Sequence, residues 1–277
     1  MKQKREKPIK PFLRWAGGKT RSIPFLKSHL PKNFSSIKKC YEPFLGAGSL
    51  FFNLKPDHAI LSDLNEDLIE CYRAIKKKSE LISKYLSGHL KENSEDYYKK
   101  MRIKYNRSKN SMSKAALFIY LNKTCFNGIW RVNKKGEFNV PYGHKEPPSL
   151  PTKDHLINIA KALSNAELYN LDYEEALKNA GEGDFVYLDP PYPPLNKTSN
   201  FAHYTKERFT KEDQKRVVKV SKKLSKKGCL VMISNSSIDF IRSLYKEDFN
   251  IYELELWRWI RADGKRYKIK EVVITNY

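Results

Sequence analysis

The sequence predicts an α/β fold in which a parallel sheet is interrupted by a basic insert. Two observations predict this class. Between residues 37 and 63 the chain runs strand, glycine turn, helix, strand and acid, which is the βαβ order of a nucleotide-binding half. From about residue 71 to 149 that order gives way to helices and a hairpin-like stretch rich in Lys and Arg. We therefore expect one domain formed by residues 1–70 and 150–277, and an inserted domain formed by residues 71–149.

The individual elements follow from apolar periodicity and from glycine and proline punctuation. Residues 1–10 are predicted to be a basic arm, because five of them are Lys or Arg. Helices are predicted at 22–30, 49–54, through most of 64–122, and at 154–164 and 210–224. Strands are predicted at 37–44, 58–61, 167–170, 184–188 and 229–234. A β-hairpin is predicted over 124–142, and an antiparallel pair at 252–259 and 267–275, joined by a turn at Asp263-Gly264.

The charge of the chain favours a polyanionic partner. Its 277 residues carry a formal net charge of +22, and the sequence pI is about 9.7. The basic residues are unevenly placed: positions 1–40 hold 12 Lys/Arg and one acid, and positions 97–136 hold 11 Lys/Arg and no acid. Aromatic residues are interleaved in the second window, as in nucleic-acid-binding surfaces. A Lys-rich surface that only solvates the protein is the alternative interpretation.

The cysteine and histidine positions give no sign of a metal site. Four widely spaced cysteines favour reduced, buried thiols in a reducing compartment. No apolar signal region and no 18-residue apolar run is present, so we expect a cytoplasmic protein without a membrane partner. The six histidines share no common spacing. The sequence contains no nucleophile elbow, the motif that would indicate a serine hydrolase.

The glycine turn after the first strand is typical of a cofactor site. Gly46 and Gly48 lie where the backbone must approach a ligand closely. Asp63 follows Gly46 by 17 residues and ends the next strand, where a carboxylate can accept hydrogen bonds from a ribose diol. The third glycine of the dinucleotide fingerprint is absent, which favours a nucleoside-type cofactor. Lys19 follows two glycines without the full phosphate-loop spacing, which argues against a nucleotide triphosphatase. A purely structural turn is the alternative.

The segment Asp189-Pro190-Pro191-Tyr192 is the more specific signal. Proline fixes φ and removes N–H donors, so this strand end cannot continue as a helix and its carbonyls stay available. Asp189 and the Pro190 carbonyl can both accept hydrogen bonds from an amino group, while Tyr192 can stack on a ring. Alone, the segment is also compatible with a simple strand-terminating turn. In the insert, Arg131 is a candidate for a bidentate guanine contact and Phe126 for stacking in the duplex. Phosphate contact and core packing are the alternatives for these two residues.

Seven blocks of the chain, in order, resemble one enzyme family. They include Phe-Leu-Arg-Trp-Ala-Gly-Gly-Lys at 12–19, Glu-Pro-Phe-Leu-Gly-Ala-Gly-Ser at 42–49 and Asp-Pro-Pro-Tyr at 189–192; the others are at 63–65, 122–128, 136–141 and 233–235. Together they resemble the Dam-type (D12 class, group α) DNA adenine-N6 methyltransferases. The resemblance implies a Rossmann-like class I methyltransferase sheet with an inserted helical and β-hairpin DNA-recognition domain. It also implies S-adenosylmethionine as cofactor and double-stranded DNA as partner.

The resemblance assigns roles to individual residues. The catalytic set is Asp189, Pro190, Pro191 and Tyr192. The cofactor set is Trp15, Ala16, Lys19, Phe44, Gly46, Gly48, Asp63, Asp172, Tyr173 and Asp189, with a looser match at Asp172 and Tyr173. The DNA set is Arg14, Phe126, Asn127, Ile129, Arg131 and Pro141. No metal is implied.

The family's chemistry implies methyl transfer to the N6 amine of an adenine extruded from the duplex, without a covalent enzyme intermediate. The hairpin residues suggest the site GATC. Departures at Ile129-Trp130 and His144-Lys145 leave a related site containing GAT open. We expect a monomer, with a companion restriction endonuclease as a possible partner. An RNA or protein amide methyltransferase, and a DNA-binding homologue without catalysis, are the alternatives.

Overall fold

The computed structural model describes residues 8–109, 111–144, 148–193, 209–259 and 266–277. Most of the predicted basic arm, the Asp263-Gly264 turn and Lys145 lie outside the described residues. Within these ranges the chain forms nine α-helices and seven strands that share one sheet. No helix in the described ranges combines the length and the apolar character that crossing a membrane requires.

The strands lie in the order β3-β2-β1-β4-β5-β7-β6. The first five are parallel, and β7 pairs antiparallel with β5 and β6. Their bounds are β1 Cys40–Glu42, β2 Ala59–Ser62, β3 Ala166–Tyr169, β4 Phe185–Leu188, β5 Leu230–Ser236, β6 Asn250–Trp259 and β7 Arg266–Thr275. All four residues of β4 are buried, as a central parallel strand covered on both faces requires. The predicted α/β class is confirmed.

Helices cover both faces of the sheet and build the insert. Their bounds are α1 Ile23–Ser28, α2 Ser49–Leu54, α3 Glu66–Lys91, α4 Glu95–Arg107, α5 Met112–Thr124, α6 Lys153–Ala162, α7 Tyr173–Ala176, α8 Lys211–Lys226 and α9 Asp239–Tyr245. Strand residues pack against α7, α8 and α9 to form one apolar core, and other strand residues pack against α1 and α2 to form another. The short helices α7 and α9 were not predicted, because neither follows a glycine loop of the kind that precedes α1 and α2.

The insert shares a core with the sheet domain. Helix α3 packs on both α5 and α6 and runs through the expected domain boundary at residue 71. Helix α5 is buried along one continuous stretch from Ala115 to Asn122, because α3 and the following hairpin enclose it. The division into two domains stays a prediction.

The predicted hairpin is present as a chain that doubles back with isolated antiparallel bridges. These bridges pair Cys125 with Tyr142 and Val132 with Phe138. A 3-10 turn at Phe126–Gly128 interrupts the ladder near its start. At the tip, the Asn133 side chain accepts the amide hydrogens of Lys135 and Glu137, which closes the turn. Side-chain hydrogen bonds therefore take the place of regular strand pairing here.

Candidate active site

The two sequence signals meet at the topological switch point of the sheet. Strand β1 lies between β2 and β4, so the glycine turn after β1 and Asp189 after β4 leave the sheet at the same edge. Ligands of open α/β sheets bind in the crevice that forms where the strand order reverses. Positive φ values at Gly46 and Gly48, 49° and 65°, make this turn. The predicted glycine turn is therefore adjacent to the predicted catalytic segment.

Asp63 holds the glycine turn in place. Its Oδ2 accepts the Gly46 amide hydrogen at 2.9 Å, and its Oδ1 accepts that of Asn65 at 3.0 Å. Burial raises the pKa of Asp63, and these amide donors oppose that rise. Each carboxylate oxygen can accept a further hydrogen bond. The geometry is thus compatible with a second task for Asp63, as a ribose acceptor.

Lys19 forms the electrostatic centre of the site. Its Nζ lies 2.7 Å from Asp189 Oδ1, donates to the Gly17 carbonyl at 2.7 Å, and lies 4.7 Å from the centre of the Tyr192 ring. Only 3% of the Lys19 side chain and 17% of the Asp189 side chain are exposed. Burying a charge this deeply requires a partner, and the two side chains supply it to each other.

Glu42, at the end of β1, is a second buried carboxyl group near Asp189. The residue is 2% exposed, and its Oε1 has no hydrogen-bond partner among the described residues. Burial, and then the charge of Asp189, raise the pKa of Glu42 to about 8, while the Phe51 amide hydrogen bond opposes the rise. Glu42 is therefore largely protonated at neutral pH.

Trp15 joins the glycine turn to the insert. A Cβ added to Gly46 would lie 2.9 Å from Trp15 Cδ1, so the indole packs directly on the turn. Trp15 also stacks with Trp130, with ring centres 6.4 Å apart and planes at 21°. Trp130 in turn contacts Phe118. Ala16, the neighbouring candidate, is exposed at the same edge.

The other predicted cofactor residues, Phe44, Asp172 and Tyr173, form a second group on the face of the sheet that packs against α7 and α8. Tyr173 is buried and stacks on Phe44 with ring centres 5.1 Å apart. Asp172 caps α7 by accepting the Glu174 amide hydrogen, and it pairs with Arg216 at 2.9 Å. The Asp172 carboxylate is thus already engaged within the protein, whereas Phe44 keeps a partly exposed ring.

The start of the hairpin lies against the loop that carries Arg14. The Arg14 amide donates to Asn122 Oδ1 at 2.8 Å, and Asn122 Nδ2 donates to the Arg14 carbonyl at 2.7 Å. A Cβ on Gly128 would lie 2.4 Å from Arg14 Cδ, so only glycine leaves room for this side chain. Phe126 is 50% exposed and Asn127 has a φ of 54°. Residues far apart in sequence thus share one exposed surface.

The remaining DNA candidates lie further along the hairpin. Pro141 accepts the Phe126 amide hydrogen at 2.9 Å, which keeps the two residues together. Arg131 is exposed, and its Nε donates to Asn139 Oδ1 at 2.9 Å. Ile129 is partly buried. Arg131 therefore lies at the surface with its direction fixed by a neighbour.

Three residues of the site were not predicted. Glu42 and Asn122 belong to quoted blocks but were given no role, because their contacts depend on distant residues. Gln214, on α8, donates to the Pro191 carbonyl at 2.8 Å. The sequence pattern could have revealed Gln214, because it is a polar residue on the helix face that Val217 and Leu224 mark as buried.

The fold and the site define a class of protein: an α/β enzyme whose glycine turn and Asp-Pro-Pro-Tyr segment face one another across the switch point. A family model, described as D12 class N6 adenine-specific DNA methyltransferase, matches residues 15–260. The chain belongs to this family, and it is an adenine-specific DNA methyltransferase.

Three relatives show how far the similarity extends. The Type II methyltransferase M1.LlaDCHI of Lactococcus lactis subsp. cremoris is 40% identical over 282 residues, which cover 99% of this chain and 98% of the relative. The Type II methyltransferase M.MjaIII of Methanocaldococcus jannaschii is 42% identical over 288 residues, covering 97% and 99%. The DNA adenine methylase of Escherichia coli K12 is 35% identical over 265 residues, covering 95% and 93%. The resemblance seen in the sequence is confirmed.

Proposed function

We propose that the enzyme transfers a methyl group from S-adenosylmethionine to the N6 amine of an adenine extruded from duplex DNA, within the site GATC. One observation supports the proposal that the adenine leaves the duplex: Asp189, at the end of β4, is largely buried and pairs with Lys19, which is almost inaccessible to solvent. An adenine stacked inside a duplex cannot bring its amine to such a carboxylate, so the base must leave the helix.

The residues present fit a nucleoside cofactor with a positively charged sulfonium. Glu42 Oε1 is a buried polar atom without a hydrogen-bond partner among the described residues, so it can contact a ligand there. The nearby Asp189 carboxylate supplies the negative charge that a cationic group prefers. The turn at Gly46 and Gly48 lets the backbone approach a ligand, and Asp63 is placed to accept from a ribose. We propose that these residues hold the cofactor with Trp15 and Phe44. Bound there, S-adenosylmethionine supplies an electrophilic methyl group.

The protein's part in the chemistry is to make adenine N6 a better nucleophile. The lone pair of this nitrogen is delocalised into the ring. Hydrogen bonds from N6–H to Asp189 and to the Pro190 carbonyl favour a tetrahedral nitrogen, and they stabilise the positive charge that develops as the N–C bond forms. Tyr192 offers its ring face to the adenine. The bond between the methyl carbon and sulfur breaks as the N–C bond forms. The methylated nitrogen then passes one proton to the Asp189 carboxylate, which is partly exposed and can release it to solvent. Full deprotonation by Asp189 before transfer is not required.

The surface around the hairpin supports the choice of GATC. Arg14, Phe126 and Asn127 lie together on it, and Arg131 presents a guanidinium that can bind guanine in a bidentate manner. If Arg131 binds guanine, Arg131→Ala should cost about 1–3 kcal/mol and relax specificity at one position. The measurement is binding to a panel of duplexes with single base changes. Equal weakening on every duplex would make Arg131 a phosphate contact.

The decisive experiment maps N6-methyladenine at base resolution after the purified enzyme has acted on mixed-sequence DNA. We expect methylation in GATC; methylation in another context containing GAT would overturn the site but not the reaction. Asp189→Ala is expected to abolish transfer while keeping DNA binding, because the basic insert is unchanged. Undiminished transfer by this variant, or transfer to RNA or peptide amides instead of DNA, would refute the proposal.

The names of two relatives support a further part of the proposal. Both are type II methyltransferases, and we propose that this enzyme, acting as a monomer, protects its site from a companion restriction endonuclease. Plasmid methylated by the enzyme should resist an endonuclease that cuts the mapped site. Sedimentation of the free enzyme would refute the monomer if it gave twice the mass.

A further inference from the structure

The amide of Gln214 connects helix α8 to the Asp-Pro-Pro-Tyr segment. Gln214 is 1% exposed, and its Nε2 donates to the Pro191 carbonyl at 2.8 Å. Its Oε1 accepts a hydrogen bond from Asn235 Nδ2 at 3.0 Å, and Asn235 is itself fully buried. Asn235 Oδ1 accepts the Ser236 amide hydrogen at 2.8 Å. A chain of hydrogen bonds therefore runs from the end of β5, through α8, to the catalytic segment.

The Asp-Pro-Pro-Tyr segment needs such an outside donor. Pro190 and Pro191 have no N–H, so neither can anchor the backbone by donating a hydrogen bond. Their rings fix φ, but ψ of Pro191, and with it the peptide plane that leads to Tyr192, is set by what the Pro191 carbonyl contacts. Gln214 makes that contact. The direction of Tyr192, whose ring lies beside Lys19, depends on it.

Packing alone does not explain a glutamine at this position. Gln214 shares the buried face of α8 with Val217, Val218 and Leu224, where Leu or Met would fill the space. Burying an amide is costly unless both of its ends are hydrogen-bonded. Both ends of this amide are bonded. The benefit of the polar side chain is therefore a defined geometry of the Pro191 carbonyl.

We propose that Gln214 is a positioning residue of the methyl transfer, which fixes the Pro191 carbonyl and thereby the arrangement of Asp189, Pro190 and Tyr192 around the target amine. This role rests on the function proposed above for these residues. Gln214 acts through the backbone that it holds and does not itself touch the reacting atoms.

The test compares Gln214→Met with Asn276→Leu in single-turnover methyl transfer. Met keeps the volume of Gln214 and removes both hydrogen bonds. Asn276 is the matched control, because it joins the same helix and strand away from the carboxyl edge: it accepts from the Val231 amide and donates to Ser225 Oγ and to the Cys229 carbonyl.

We expect Gln214→Met to lower the transfer rate constant 10- to 100-fold, with the dissociation constants of S-adenosylmethionine and DNA within twofold of wild type. Asn276→Leu should lower the melting temperature and leave the rate constant unchanged. An unchanged rate in Gln214→Met, or an equal loss in Asn276→Leu, would overturn the proposal.

Gln214→Glu tests the same role without a change of shape. A carboxyl group can donate to the Pro191 carbonyl only when it is protonated, and burial raises its pKa. The rate of this variant relative to wild type should therefore rise as pH falls from 8 to 6, and a constant ratio would contradict the role. Mixed-sequence DNA is the substrate, so an error in the proposed recognition site leaves the comparison intact. Absence of transfer by the wild type would instead refute the proposed function.

Discussion

Replacing Glu42 by Gln should make the enzyme more stable at alkaline pH. The pKa of Glu42 is raised from its ordinary 4.5 to about 8, by burial and by the charge of Asp189. Below pH 4.5 the folded and unfolded chains both carry the protonated acid. Between pH 4.5 and 8 only the unfolded chain ionises at this residue, so the contribution of Glu42 to stability falls as pH rises. Gln imitates the protonated acid at every pH and avoids this loss.

The magnitude follows from the size of the shift. Between the unfolded and the folded pKa of Glu42, each pH unit changes the free energy of unfolding by about 1.4 kcal/mol. From pH 5 to 8 the stability of Glu42→Gln relative to wild type should therefore grow by about 3–4 kcal/mol. The assay is urea unfolding of both proteins at several pH values. Glu182→Gln is the control, because Glu182 is exposed near the opposite edge of the sheet. Parallel curves of unfolding free energy against pH for wild type and Glu42→Gln would refute the buried, protonated state.

Two further predictions concern the insert. Gly128→Ala should lower the free energy of unfolding by about 1–2 kcal/mol, because alanine disfavours the positive φ of this position. It should also weaken DNA binding, because the new Cβ displaces the Arg14 side chain. Gly183→Ala is the control, since Gly183 also has a positive φ but no DNA candidate beside it, and equal DNA affinities of the two variants would argue against a role for Arg14. Burial, with a smaller effect of Lys104, lowers the pKa of His89 to about 4. The contribution of His89 to stability should therefore fall as pH falls from about 6.5 towards 4. His89→Gln lacks this contribution, so its stability relative to wild type should rise over this range in urea titrations, and a constant difference between the two proteins would contradict the prediction.

Much of the sheet could be predicted because its signals are local. Helix α2 begins and ends where the sequence indicated, since the glycines before it and its apolar residues lie within one short stretch. Strand β4 is a continuous apolar run and β5 begins with one, from Leu230 to Ile233, as central strands buried on both faces require. The hairpin was predicted from its turns, but its irregular pairing was not, because side-chain hydrogen bonds of Asn133 compete with the strand ladder.

The sequence by itself determined the chemistry that is available: a glycine turn, an acid at the next strand end, and a rigid Asp-Pro-Pro-Tyr segment. Only the tertiary structure decided how these groups are held and charged. Asn122 and Arg14 contact one another across 108 positions, and Gln214 reaches Pro191 across 23. Likewise, the pKa of Glu42 is raised to about 8 because folding removes water from it and brings Asp189 close. Hydrogen-bond partners and pKa values depend on distance and burial, and for residues this far apart both are set only when the chain folds.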